Sequence, residues 1–121
     1  MAKVLIVDDS DTYLHTLSKL VKDEGHEVVT ASCGEEGVKA AVDNHPDLIL
    51  MDIVMPDLNG FQATRKISKN PETSKIPIIF VTTKDQETDR IWGMRQGASD
   101  YLTKPVDKKK LIAAINEALG A

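Results

Sequence analysis

Cysteine is nearly absent. Cys33 stands alone, so no internal disulfide can form, and the usage fits a reducing cytosol. It lies far in sequence from the other reactive groups, with no activating partner, and is a weak nucleophile candidate. An excess of positive charge is also lacking: 15 Lys and Arg face 19 Asp and Glu, for a net charge of −4 and a pI near 5.3. A nucleic-acid or anionic-membrane binder would want a basic face, so neither is expected. There is no signal-peptide pattern and no apolar run near the ~18 residues of a membrane span, so a cytoplasmic chain is expected. No Cys/His cluster has zinc spacing. No linker, repeat or low-complexity tract interrupts the 121 residues, which suit one domain. With the chain stopping directly after its last helix, no effector domain is expected.

What is present is an alternation of strand and helix, five times over. The organising stretch is Asp47-Leu48-Ile49-Leu50-Met51-Asp52, a short apolar run closed by a carboxylate. Such a run suits a strand buried on both faces of a parallel sheet. An ionised carboxylate inside it would be very costly, so Asp52 belongs at the strand's exit, where open α/β sheets bind ligands. Strands are expected at 3–7, 27–31, 48–52, 77–82 and 99–103. Ser10 or Asp11 can cap the first helix, with Leu14, Leu17, Leu20 and Val21 at helical spacing and Gly25 as its stop. The second helix starts near Gly34 or Glu35, turns Val38, Ala41 and Val42 inward and stops before Pro46. Asn59 caps the third, with Phe61, Thr64 and Ile67 inward, and residues 70–75 form a surface loop. The fourth spans about 85–95, softened by Gly93 at a cost of roughly 1 kcal/mol relative to alanine. The fifth carries Leu111, Ile112, Ile115 and Leu119 on one face and ends at Gly120. The alternation implies a doubly wound parallel α/β sheet with right-handed crossovers.

Three strand exits carry matching chemistry. Val4-Leu5-Ile6-Val7 runs into Asp8-Asp9, the third strand ends in Asp52, and Ile78-Ile79-Phe80-Val81 ends in Thr82-Thr83. If strands one and three are neighbours, their ends lie about 5 Å apart. Like charges at about 4 Å repel by roughly 4 kcal/mol at an effective dielectric near 20, so the acids call for a cation or some protonation. A hard divalent ion such as Mg²⁺ fits oxygen ligands and keeps positions open for phosphate oxygens. Lys104 follows strand five and can reach the same crevice, and the Lys104-Pro105 bond is a candidate for cis geometry. Thr82 offers a hydroxyl. Each residue alone is commonplace. Together, in this order, they suit phosphoryl transfer to Asp52 as nucleophile, with Mg²⁺ and Lys104 neutralising the transferring group.

The chain resembles the receiver domains of two-component response regulators over essentially its whole length. The matching stretches are Val4 to Ser10, Asp52 with Met55-Pro56 and Asn59-Gly60, Val81-Thr82, and Gly97 to Pro105. The resemblance implies a flavodoxin-like fold of five parallel strands, order 2-1-3-4-5, flanked by five helices, with residues 1–121 as a single receiver domain. It implies that a histidine kinase phosphorylates Asp52. Asp9, Asp52 and the Val54 backbone carbonyl would ligate Mg²⁺ directly, and Asp8 through water. Thr82 and Tyr101 would be the switch pair, Thr82 moving to the phosphoryl group and Tyr101 turning inward behind it. No enzymatic turnover beyond self-phosphorylation and self-dephosphorylation is expected.

The segments Asp52 to Pro56, Asn59 to Arg65, Thr82 to Asp89 and Trp92-Gly93 resemble the single-domain regulators of type IV pilus (twitching-motility) chemosensory systems. Val54 and Lys84 depart from the flagellar chemotaxis receivers and flank the expected path of attacking water. A monomer that signals through the face of helix four, strand five and helix five is expected. Trp92 suits either that interface or the core. Lys108 to Lys110 suit a solvated helix start, and His15, His26 and His45 the surface. A phosphate sink is the alternative function. A haloacid-dehalogenase-like hydrolase is less favoured, because Asp9-Ser10-Asp11-Thr12-Tyr13 has tyrosine where its motif needs Thr or Val.

Overall fold

The apolar runs become the middle of a sheet because nothing else can bury them on both sides. In the computed structural model, which describes residues 1–120, β1 (Lys3–Val7), β3 (Leu48–Met51) and β4 (Ile78–Thr82) are buried almost throughout. β2 (Glu27–Ala31) and β5 (Asp100–Thr103) are more polar and take the two edges. All pairings are parallel, in the order β2-β1-β3-β4-β5. The helices are α1 (Asp11–Asp23), α2 (Gly34–Asn44), α3 (Gly60–Lys69), α4 (Glu87–Arg95) and α5 (Lys108–Ala118).

Alternation along each strand sends successive side chains to opposite faces. Val4, Ile6, Leu48, Leu50, Ile79 and Val81 meet Leu17 and Val21 of α1 and Leu111, Ala114 and Ile115 of α5. Leu5, Val7, Ile49, Met51 and Phe80 meet Ala41 of α2 and Ala63 and Ile67 of α3. These two cores are the expected consequence of a doubly wound sheet. Burying one large aliphatic side chain contributes roughly 1.5–3 kcal/mol, so they outweigh any single polar contact.

Several boundaries and faces differ from expectation. β3 ends at Met51, leaving Asp52 one residue beyond it, and α4 begins at Glu87 behind a Gln86–Asp89 capping box. β4 and β5 each start one residue later than expected. Ser10, not Asp11, caps α1, its Oγ accepting from Tyr13 N at 3.3 Å. In α2 only Ala41 of the three expected inward residues is fully buried; Val38 and Val42 are half-exposed, while Gly37 packs on Val7 of β1 and Gly34 on Leu58 of the loop before α3. Phe61 is also half-buried, meeting Phe80 edge to face at 5.4 Å. The loop at 70–75 is tied down by Thr73, whose buried hydroxyl donates to Ile67 O at 2.7 Å. α5 ends at Ala118, with Leu119 as its cap. His15 and His45 are exposed, but His26 is partly buried, its Nδ1 accepting from Ala2 N at 3.1 Å.

Gly93 has a different meaning from the one its helix propensity suggests. It is the one buried residue of α4, and a Cβ there would lie 2.8 Å from Tyr101 Cδ2 and 3.3 Å from Phe80 Cδ2. Those rings are held by the core and cannot swing aside. Alanine would gain about 1 kcal/mol of helix propensity but lose more by overpacking, typically 1–3 kcal/mol. Gly93→Ala is therefore expected to lower stability by about 1 kcal/mol, measured by urea denaturation; a stabilised variant would show that α4 is not seated on the Tyr101 ring.

Candidate functional site

Register brings the acids together. Val7 pairs with Met51 and Asp52 N donates to Val7 O at 2.9 Å, so the residues just past each strand share the carboxyl edge of the sheet. Carboxylate oxygens of Asp8, Asp9 and Asp52 lie within 4.8 Å of one another. Asp8 and Asp52 are buried, at 1% and 5% exposure, while Asp9 is open to solvent. Asp8 Oδ1 accepts from Ser10 N at 2.9 Å and Asp52 Oδ1 from Ile53 N at 2.8 Å, which fixes both side chains.

Lys104 arrives from the other side of the sheet. Its N–H donates to Thr82 O at 2.8 Å, extending the β4–β5 ladder by one step, and the Lys104–Pro105 bond is cis. Its Nζ donates to Asp8 Oδ2 at 2.8 Å and lies 3.6 Å from Asp52 Oδ2. One ammonium thus serves two buried carboxylates, with Asp9 beside them. Burial pushes the Asp52 carboxyl above the ordinary carboxylate range, and the Asp8 charge adds to this. Lys104 and the Ile53 N–H pull the other way, and Asp9 pushes up again. The donor set is all hard oxygen, the chemistry of Mg²⁺ or Ca²⁺ rather than of zinc.

Thr82 is fully buried at the end of β4, its Oγ1 accepting from Lys84 N at 3.3 Å. Tyr101 is buried beneath α4, and its hydroxyl donates to Lys84 O at 2.8 Å. The inward position expected after phosphorylation is thus already occupied. Arg90 Nη1 donates to Tyr101 O at 3.2 Å, closing α4 over the strand. Burial, with Asp89 and Asp85 close by, pushes the Tyr101 phenol up to about 12.

Val54 is 53% exposed and, with Lys84, borders a hollow of about 270 Å³ beside the acids. Lys84 Nζ lies 3.7 Å from Asp89 Oδ1. Trp92 is 47% exposed, between Ile91 and Gly93, so it is a surface residue of α4 and not part of the core. Asp107 caps α5 through Lys109 N and Lys110 N, which offsets the misfit of three lysines at a helix start.

Two contacts escaped the sequence. Gly60 is pressed against the site: a Cβ there would lie 2.1 Å from Asp52 O, so α3 begins directly behind the acid. Tyr13 presents its ring to Lys104, with Nζ 4.1 Å from the centroid. The Asn59-Gly60 pair was a visible signal for the first; nothing in the sequence pointed to the second.

A doubly wound sheet with clustered acids, a hydroxyl and a lysine at its carboxyl edge defines the receiver class. The sequence pattern of the response regulator receiver domain matches residues 4–116, and the chain belongs to that family. It is 58% identical over 119 residues to the protein PilH of Pseudomonas aeruginosa, covering 98% of each chain. Among solved structures it superposes on the chemotaxis protein CheY4 of Vibrio cholerae with a TM-score of 0.91 at 32% identity, covering 98% of this chain and 99% of that one. It also matches the receiver domain of the sensor histidine kinase PA1611 from Pseudomonas aeruginosa, which has a magnesium ion coordinated in its active-site cleft. There the TM-score is 0.91 at 28% identity, over 99% of this chain and 98% of that one. Among the described residues no helix is long and apolar enough to cross a membrane.

The raised Asp52 carboxyl means the native state holds that proton more tightly than the unfolded chain. Unfolding releases it, so in metal-free buffer stability should rise as pH falls from neutral toward about 4 through this group. Asp52→Asn should be more stable than the parent at neutral pH and lose that part of the pH dependence. Lys104→Met, which strands Asp8 and Asp52 without their counter-charge, should cost about 3 kcal/mol. Thermal and urea unfolding across pH check all three.

Tyr101 runs in the opposite sense. Its native phenol keeps its proton beyond the unfolded value of about 10, so stability should fall as pH climbs from about 10 to 12. A difference titration near 295 nm against Tyr101→Phe should place the absorbance step near 12; a step at the ordinary tyrosine value would mean that the ring is not buried.

Proposed function

We propose that this protein is a stand-alone receiver that takes a phosphoryl group on Asp52 from a histidine kinase, and that the charge on Asp52 switches its binding to another protein. The observation that carries the reading is Lys104 Nζ, held between Asp8 and Asp52 at the sheet's carboxyl edge beside an acidic cluster it cannot neutralise alone. In the transfer, an Asp52 carboxylate oxygen bonds to phosphorus. The bond from phosphorus to the kinase's histidine nitrogen breaks, and the imidazole leaves with that electron pair and takes up a proton. Asp52 needs no general base, since an ionised carboxylate is already the nucleophile.

Asp8, Asp9, Asp52 and the Val54 carbonyl would hold Mg²⁺. Bound there, the ion supplies positive charge to the phosphoryl oxygens and relieves the repulsion among the acids. Lys104 exchanges its Asp8 contact for a phosphoryl oxygen. Thr82 turns to donate a hydrogen bond from its hydroxyl to another, and in moving gives up the bond from Lys84 N. Because Lys84 O also receives the Tyr101 hydroxyl and its Nζ pairs with Asp89, a shift at residue 84 would reach the Tyr101 ring of β5 and the first turn of α4.

Output leaves through α4, β5 and α5. A groove of about 440 Å³ there is lined by Arg90, Leu102, Val106 and Lys110 among others, and the exposed Ile91, Trp92 and Met94 lie on the same helix as Arg90. The relation to PilH favours a role in pilus or chemosensory control.

Acetyl phosphate with Mg²⁺, or a phosphorylated kinase, should label the parent on Asp52, and Asp52→Asn should take no label. Full labelling of that variant would remove Asp52 as acceptor. Mg²⁺ at a hundredfold excess over its Kd should stabilise the parent by about 2.7 kcal/mol, and Asp9→Asn should lose most of that gain.

A further inference from the structure

The lysine is held on a side that neither carboxylate accounts for. We propose that Tyr13 is a positioning residue for Lys104: the face of its ring holds the ammonium over the site and keeps it there when Asp8 turns to the metal. This rests on the phosphoryl-acceptor reading above.

Four residues close a circuit of contacts. Asp8 Oδ1 accepts from Ser10 N at 2.9 Å. Ser10 Oγ accepts from Tyr13 N at 3.3 Å, which fixes where the first turn of α1 carries the tyrosine. The Tyr13 ring lies 4.1 Å from Lys104 Nζ. Lys104 Nζ returns to Asp8 Oδ2 at 2.8 Å. The lysine side chain is only 7% exposed, so water competes weakly for its protons. An ammonium has three donors and no acceptor. Asp8 takes one, Asp52 attracts from 3.6 Å, and the negative face of the ring receives the remaining side. Tyr13 itself is partly buried and packs against the core beneath α1 and α5, so the ring is anchored and not a passing surface group.

The aromatic face matters most once a divalent ion competes for Asp8. A carboxylate drawn to the metal attracts the ammonium less, whereas the ring does not bind a hard, hydrated divalent ion and its hold is unchanged. From that place Lys104 needs only a short swing to a phosphoryl oxygen on Asp52. Without the ring, the four-carbon stem has more freedom to lose on each transfer.

The test compares Tyr13→Leu, which keeps an apolar stem but removes the ring's charge distribution, with Tyr13→Phe, which keeps it. With Mg²⁺ and acetyl phosphate, Tyr13→Leu should label about three- to tenfold more slowly, and Tyr13→Phe should recover most of the parent rate. In a Lys104→Met background, replacing Tyr13 by Leu should change the rate little, because the residue it positions is gone. Equal slowing with and without Lys104, or no slowing at all, overturns the proposal. A second arm needs no phosphorylation. The ε-methylene protons of Lys104 should show an upfield ring-current shift in the parent and in Tyr13→Phe, and not in Tyr13→Leu. If the parent takes no label, the acceptor reading fails by itself, and the ring-current shift still decides whether Tyr13 holds the lysine; its absence from the parent overturns the proposal.

Discussion

Three carboxylates and one ammonium at the carboxyl edge of the sheet are the constraint the rest of the molecule answers to. Asp8 and Asp52 are almost wholly buried, and their repulsion at short range is a sizeable part of what a domain of this size has in total. Lys104 offsets part of it through Asp8 and less through Asp52. Burial first, and the Asp8 charge after it, push the Asp52 proton above the ordinary carboxylate range, so the site carries a standing excess of buried negative charge. On the proposed reading, an imbalance of this sign would favour a divalent cation first, and then a phosphoryl group that the cation and the lysine could share.

The fold maintains that imbalance without collapsing because the acids sit at the ends of strands whose bodies are wholly apolar. Two cores, one on each face, hold β1, β3 and β4 in fixed register, so the strand ends cannot drift apart to relieve the charge. The loops behind them add little slack: Gly60 starts α3 in contact with the backbone of Asp52. The least buried helix lies elsewhere. α4 buries a single residue, and it is held mainly by the Gly93 contact, by Arg90 and by the Lys84–Asp89 pair. Lys84 touches both the site and this helix: its N–H donates to Thr82 Oγ1 beside the charged centre, and its Nζ pairs with Asp89 of α4.

Much of this was legible in the sequence. The apolar runs gave the central strands, their polar exits gave the crevice, and the order of Asp8-Asp9, Asp52, Thr82 and Lys104 along the chain gave the family, which the sequence pattern and the relatives then established. What escaped were contacts between residues distant in sequence but close in space. Tyr13 under Lys104 cannot be read from periodicity, because an aromatic in the first turn of a helix fits the core equally well. Gly93 was legible as a helix weakener but not as a seat for Tyr101, since propensity is local and packing is not. Thr73 looked like a loop residue until its hydroxyl was seen to bond the end of α3.

Trp92 is the sole tryptophan, and it stands half in water on the helix that carries Gly93 and Arg90. Its indole stands outside the acid cluster, on the helix that packs on Tyr101 through Gly93. The molecule therefore carries its own optical gauge. A change in its emission would report a change in the surroundings of α4, in the unlabelled native chain and on the timescale of mixing.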